Sequence, residues 1–210
     1  TSSDWVQGKF GKALNADQTD NFATTANPVN QSGTLKAATL MAWVYKRNCS
    51  SYQAVMGLYD SVNSRFFDLD TYNSNCYFYS HLSTTGLTNE TISTYAVPLN
   101  QWVHLAVSYE NGYHRFYANG VLVYTGTAFT GDINLAAAST QLQVGARGDN
   151  NERFNGYVDE LKIYNYARNS KQIVEDMNAG HPVGGSPIGS QVGYWKFDEG
   201  YGAATNNSIT

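Results

Sequence analysis

Charged side chains make up only 14% of this 210-residue chain, and its 13 Lys and Arg residues form no cluster. The formal net charge is -4. A surface of that kind cannot neutralise a run of phosphates, so nucleic-acid binding is excluded. No apolar run approaches the length of a spanning helix, which argues against membrane insertion. The four histidines, His81, His104, His114 and His181, lack metal-ligand spacing, and neither an HExxH pattern nor a nucleophile elbow occurs. Ordinary surface histidines are expected at all four. Thr1 carries no secretory signal, so the numbering is expected to start after processing or inside a longer protein.

What the chain does contain is aromatic, polar and strand-forming. Sixteen tyrosines and 19 glycines accompany abundant Thr, Ser and Asn, a mixture suited to half-buried strands joined by polar turns. Thr39-Leu-Met-Ala-Trp-Val-Tyr45, Tyr52–Tyr59, Arg65–Asp70 and Tyr77–His81 alternate and are separated by short polar breaks. In Trp102–Tyr109 the residues Val103, Leu105, Val107 and Tyr109 face the core, and Trp102, His104, Ala106 and Ser108 face away. Asn119-Gly120 between two alternating runs predicts a hairpin whose two central residues have positive φ. Gln141–Gly145 and Phe154–Tyr164 supply further strands. One helix is expected, capped by Asn169 with Gln172 three residues on, carrying Ile173 and Met177, and ended by Gly180 and Pro182. About a dozen short strands against one helix predict an all-β, two-sheet antiparallel sandwich in a single large domain.

The two cysteines are treated individually. If 38–46, 52–59 and 65–71 run up, down and up, Cys49 and Cys76 lie at one rim and within bridging distance. A disulfide is expected there, with two reduced thiols as the alternative. Asn-x-Ser/Thr triplets at Asn30, Asn48, Asn89 and Asn206 are no more than so Asn- and Ser-rich a chain produces by chance. The segment Gly193-Tyr-Trp-Lys-Phe-Asp-Glu-Gly200 reads as a strand followed by a turn, coming after the 181–191 linker. Tyr194, Lys196 and Asp198 share one face of it and Trp195 and Phe197 the other.

The order of these pieces resembles the LamG-like, concanavalin A-like jelly roll. Gly8-Lys-Phe-Gly-Lys-Ala-Leu-Asn15 with Asp20-Asn-Phe22 looks like the family's "GKFGxALxF…DxV" segment. Leu40-Met-Ala-Trp-Val44 resembles "TxxxWV", and Gln101–Tyr109 resembles "WxHVAxxY". Arg115-Phe-Tyr-Ala-Asn-Gly120 is similar to "LYxNG", Leu142–Gly145 to "LxIG", and Phe154–Tyr164 to "FxGxIDExRIYxRAL". In such modules a "YWxFDEGSG" strand comes first, whereas here it lies at 193–208. The resemblance therefore implies a sandwich over 1–180, a linker at 181–191, and a terminal strand in 192–210. The chain looks like a repeat cut out of phase or a circular permutant.

Two placements of that strand are open. It can border the 154–164 strand of its own sheet, or enter a neighbouring subunit as a donor strand. Either buries Trp195 and Phe197, worth about 2–3 kcal/mol each. A head-to-tail insertion that fails to close would build a filament.

The resemblance also implies a structural calcium ion, with Asp20, Asp159, Asp198 and Asn206 as the residues that would hold it. Asp159 and Glu160 are expected on opposite sheet faces. Asp68 and Asp70 share a face as a glycosidase pair would, but the third carboxylate is missing and a solvated strand end is expected. Tyr72, Tyr77, Tyr95, Tyr113 and Trp102 could stack on sugars, yet no local cluster marks a platform, and strand aromatics such as Trp43, Trp102 and Trp195 are buried by default.

The reading reached is a non-catalytic extracellular repeat. It would self-associate head to tail through Tyr194, Trp195 and Phe197, with the 181–191 arm. The alternative is a monomeric carbohydrate-binding module whose terminal strand closes its own sheet around a glycan site.

Overall fold

The computed structural model describes residues 4–29, 33–60, 65–84, 87–135, 140–147, 151–178, 191–202 and 204–208. The linker expected at 181–191 lies outside them except for its last residue, as do His181, Gly180 and Pro182. The strands are β1 (Trp5–Gln7), β2 (Lys12–Asp17), β3 (Ala23–Ala26), β4 (Gly33–Leu35), β5 (Ala37–Lys46), β6 (Gln53–Tyr59), β7 (Arg65–Tyr72) and β8 (Tyr77–Thr84). They continue with β9 (Leu87–Ala96), β10 (Trp102–Glu110), β11 (Tyr113–Ala118), β12 (Val121–Thr125), β13 (Ile133–Leu135), β14 (Gln141–Val144), β15 (Asn155–Tyr164) and β16 (Gln191–Trp195).

All strand pairings are antiparallel, in two sheets. The first runs β1-β2-β15-β5-β10-β11-β12 with β16 also on β15. The second runs β3-β14-β6-β7-β8-β13-β4 with β9 also on β8. Their facing sides form one core, where Leu40, Val44, Leu105, Val107, Phe116 and Leu161 meet Val55, Leu58, Phe67, Leu69, Phe78 and Leu142. This is the two-sheet sandwich that alternating strands with one apolar face require.

Local rules hold where short-range geometry decides. Asn119 and Gly120 both have positive φ, 49° and 80°, so β11 and β12 are joined by the turn their twist demands. Helix α1 (Ser170–Met177) is closed by a capping box between Asn169 and Gln172. Its Ile173 packs on Met41, Ala106, Tyr117 and Tyr164, covering part of the outer face of the first sheet. The last carbonyls of α1 are satisfied by that same face: Lys162 Nζ donates to Asp176 O at 2.6 Å and Trp43 Nε1 to Met177 O at 3.0 Å. Cys49 and Cys76 are joined in a disulfide at the rim where β5 and β7 end.

The terminal strand is placed within its own chain. β16 pairs with β15 through Leu161↔Trp195, Lys162↔Tyr194 and Ile163↔Gly193. β2 pairs with the same edge of β15 lower down, through Asn155↔Asp17 to Val158↔Leu14. The two strands thus lie end to end along one edge, and a one-residue bulge on β15 between Asp159 and Lys162 marks the joint. Trp195 and Phe197 sit in the main core at 4% and 1% exposure. The donor-strand placement in a neighbouring subunit is therefore not the one seen. The chain's own β15 offers a free edge of matching length, and the ladder is closed there.

The bulge also overturns the expected split of Asp159 and Glu160. Val158 and Leu161 both belong to the core, so the extra residue turns the two intervening carboxylates away from it together. Both are buried nonetheless.

Removing the anchor of β16 by Trp195→Ala is expected to cost about 3–5 kcal/mol in urea unfolding. Opening the disulfide by Cys49→Ser with Cys76→Ser is expected to cost about 3.5 kcal/mol for a loop closed across 27 positions. Both variants should remain monomeric in light scattering if the strand stays within its own chain.

Candidate functional site

Where both sheets run out at one corner, β1, β2 and the 195–205 segment face β3 and β14 across a cleft of about 620 Å³. Its floor is apolar: Leu14, Leu142, Val144, Trp195 and Phe197, with Trp5 at the side. The Trp5 and Phe197 rings lie 6.4 Å apart, and Trp5 Nε1 donates to Gly202 O at 3.1 Å. Core-forming alternation explains this floor. Thr25 and Ala23 oppose Leu142 and Val144 in the register of β3 on β14, so all four turn toward the gap between the sheets.

The rim is polar. The β2–β3 turn contributes Asp17, Asp20, Asn21 and Phe22, and Asp4 and Thr205 stand on the other side. Asp17 organises the turn. Its Oδ1 accepts from the Thr19 amide at 3.0 Å and hydroxyl at 2.5 Å, and its Oδ2 from Asn21 Nδ2 at 3.1 Å. Burial pushes Asp17 upward, but the bonds from Thr19 and Asn21 prevail and hold it below the usual carboxylate range. An apolar, aromatic floor under a rim of fixed polar groups, at this volume, is the composition of a small-molecule site. The rings in that floor are themselves buried, at 9% exposure for Trp5, 4% for Trp195 and 1% for Phe197, so the rim carries most of the groups a ligand could meet.

One wall of the cleft is the terminal segment, and it is pinned at several points. Asp198 Oδ1 accepts from Lys12 N at 2.9 Å. Glu199 accepts from the Thr205 hydroxyl at 3.1 Å and from Asn206 N at 2.7 Å. Ser208 N donates to Tyr194 O at 2.6 Å, and Asn207 Oδ1 accepts from Tyr194 N at 3.0 Å.

Of the four residues singled out for calcium, Asp159 and Asp198 both bond the turn that leads into β2. Asp20 is on the cleft rim. Asp159 lies at the bulge, where its Oδ2 accepts from Phe10 N at 2.9 Å. Asp198 is engaged with Lys12, and the side chain of Gly11 could not be larger, because a Cβ there would lie 1.9 Å from Asp198 Oδ1. Asn206 bonds Glu199 through its backbone. Among the described residues no three His, Cys, Asp or Glu side chains form a metal-holding group. A structural calcium ion stays an expectation of the family resemblance, since such an ion also takes Asn and backbone-carbonyl donors.

Tyr194, expected as an assembly contact, instead donates its hydroxyl to Glu160 Oε2 on the outer face of the first sheet. Burial, with Glu160 beside it, raises the phenol well above its ordinary range.

Other expectations are corrected by burial. Asp68 and Asp70 are not a solvated strand end: both are fully buried on the outer face of the second sheet, beside Tyr59, Tyr79 and His81. Asp68 Oδ1 accepts from His81 N at 2.6 Å. The three histidines among the described residues are not surface groups either. His104 and His114 are enclosed, and burial drives both down to about 3, so they stay neutral. His81 is also buried.

The structure does gather an aromatic group around Trp102. Its cross-strand neighbour Tyr45 lies 5.7 Å away, and Tyr157 stacks on Tyr45 at 5.1 Å. These rings pack on one another across β10, β5 and β15, and each stays partly exposed. Trp5, Asp4, Asp17 and Thr25 were not marked in advance. The Asp17-x-x-Asp20-Asn21 turn between two alternating runs was the available signal.

Asp159 generates a pH signature. Burial, then the neighbouring Glu160 charge, pushes its carboxyl from 3.8 up to about 7 against the Phe10 amide bond. The native state therefore holds a proton that the unfolded chain releases near pH 4. This contribution to stability is complete below the unfolded value and is lost as pH rises through about 7. Asp159→Asn keeps the oxygen that accepts from Phe10 and removes the titration. Its urea midpoint is expected to change less between pH 4 and 7 than that of the parent, and to exceed it at pH 8.

Comparison with known proteins follows the geometry. Human pappalysin-1 is 28% identical over 157 residues, which is 67% of this chain and 10% of that protein. The chain thus spans a tenth or less of the curated relatives it matches. Domain 4 of AbnA, a GH43 extracellular arabinanase from Geobacillus stearothermophilus solved with arabinotriose, superposes with a TM-score of 0.65 at 22% identity, covering 82% of this chain and 79% of that one. The CBM40 of a Ruminococcus gnavus IT-sialidase, bound to α2,3 sialyllactose, gives 0.57 at 15% identity, covering 67% and 82%. At these identities the likeness shows the fold. The sequence itself matches the family described as the concanavalin A-like lectin/glucanases superfamily, and with residues 17–174 of its 210 so matched, the chain belongs to that superfamily.

Proposed function

We propose that this chain is a non-catalytic carbohydrate-binding module that takes its ligand in the corner cleft. The observation that carries the reading is one concavity of about 620 Å³ that joins an apolar floor to a rim of Asp, Asn and Thr side chains. Sugars present both an apolar ring face and a belt of hydroxyls, and this arrangement answers both. The sugar-bound states of two fold neighbours lend support. The role is binding: the carboxylate pair Asp68 and Asp70 is buried on the other sheet, away from the cleft. The Cys49–Cys76 bridge favours an oxidising, extracellular setting.

The reading is tested by calorimetric titration with arabinotriose and a panel of other oligosaccharides. Thr25 is exposed and turned into the cleft, so Thr25→Trp fills the space with a residue that strands accept. Saturable binding by the parent, weakened at least about tenfold in the variant with unchanged thermal unfolding, is the expected result. Binding that survives Thr25→Trp moves the site elsewhere, and failure of the whole panel removes the carbohydrate reading.

A further inference from the structure

The outer face of the first sheet is only partly roofed. α1 lies across Met41, Ala106, Tyr117 and Tyr164, and its cover ends where Trp43 Nε1 meets Met177 O. One outward position further along β5 stands Tyr45, with Trp102 opposite it on β10 and Tyr157 opposite it on β15. The three rings form a triangle with centroids 5.7, 5.1 and 6.3 Å apart, and each is partly exposed. Among the described residues no hydrogen-bond partner meets the Trp102 indole N–H or the hydroxyls of Tyr45 and Tyr157. The polar tips of the triangle are thus left to solvent or to a ligand.

A cation stands beside the rings. The Arg47 guanidinium lies over Tyr157 at 5.0 Å, held there by Nη2 donating to Ala16 O at 3.0 Å. Its Nε is shut away from solvent with no acceptor, and among the described residues Arg47 forms no ion pair. Asp17, which follows Ala16, has both oxygens taken up by Thr19 and Asn21. A partly desolvated guanidinium with an unmet donor and no counter-charge favours an anion. The patch is far smaller than a stable protein interface, which takes roughly 20 residues a side, and its span is that of a single sugar ring.

We propose that this face is a second saccharide site, separate from the corner cleft and selective for acidic sugars. The carboxylate of a uronic acid pairs with the planar fork of Arg47, and the apolar face of its ring rests on Tyr157 and Trp102. The free indole N–H and phenol hydroxyls meet the sugar hydroxyls at the edge. The site goes beyond the reading of the cleft and does not depend on it.

The test follows the indole N–H signal of Trp102, assigned through Trp102→Phe, in proton–nitrogen NMR spectra while methyl galacturonoside is added. Its methyl ester, methyl galactoside and acetate are titrated alongside. A saturable shift with the uronide is expected, equal in the parent and in Thr25→Trp, and at least about tenfold weaker in affinity for the ester and the galactoside. Arg47→Gln is expected to weaken the uronide about tenfold, 1 M salt to act in the same direction, and Arg47→Lys, which keeps the charge without the fork, to fall between. Arg47 is partly exposed, and the ester comparison is made on the parent, so the test does not hang on a variant that folds. A Trp102 signal that no uronide moves, or that ester and acid move alike, overturns the proposal. Acetate acting as strongly as the uronide reduces the face to an anion contact, and a signal that shifts with protein concentration alone gives it to a second copy of the chain; either result overturns it too. A uronide response lost in Thr25→Trp places the acidic sugar in the cleft, against this proposal and in favour of the cleft reading, whose own failure shows separately on the oligosaccharide panel.

Discussion

One edge of β15 serves two strands, and the rest of the structure depends on how they share it. β2 occupies the lower half and β16 the upper, with the bulge at Asp159 and Glu160 between them. Without β16 the upper half would present unpaired backbone groups, and the core would lose the Trp195 and Phe197 rings that close it. The joint is reinforced from both sides. Asp159 holds the turn before β2 through Phe10 N, and Asp198 holds Lys12 N at the start of β2. The end of one strand is thereby fixed against the beginning of the other.

The cleft is a by-product of that joint. A sandwich must end somewhere, and here the first sheet ends on β1 and the second on β3, a short strand exposed along most of its length. The segment after β16 crosses the gap, meets Trp5 at Gly202, and returns to Tyr194. It thus supplies part of the floor and one wall. Stability and the shape of the cleft are linked by construction: the rings that hold the terminal strand in the core also close the base of the concavity.

Burial of polar groups elsewhere follows the same economy of paired partners. Lys46 is enclosed near the disulfide rim, donating from Nζ to Gln53 Oε1 at 2.8 Å and Thr71 Oγ1 at 2.7 Å. Burial lowers its ammonium to about 7 although Asp70 opposes the shift. Arg168 makes a two-pronged contact with Asp176 at 2.6 and 2.7 Å that ties α1 to the strand end before it. Neither group is near the cleft, and both are explained by packing alone.

The sequence by itself determined whatever depends on neighbours along the chain. The Asn119-Gly120 hairpin, the Asn169 cap, the alternation of β10 and the shared rim of Cys49 and Cys76 all follow from short-range geometry, and the superfamily follows from the order of such pieces. Tertiary structure decided what depends on a second surface arriving. His104 reads as outward-facing, and it is, but α1, Trp43 and Lys162 enclose that face. Asp68 and Asp70 share a face as alternation requires, yet only folding shows it to be closed. A one-residue bulge reversed the facing of Glu160, and no periodicity announces a bulge. The sequence offers the 154–164 strand as an in-chain partner for β16, but the choice between it and a neighbouring subunit, and with it the cleft, belonged to the fold, because strand pairing depends on which free edge lies within reach, a property of three-dimensional arrangement that alternation along one strand does not encode.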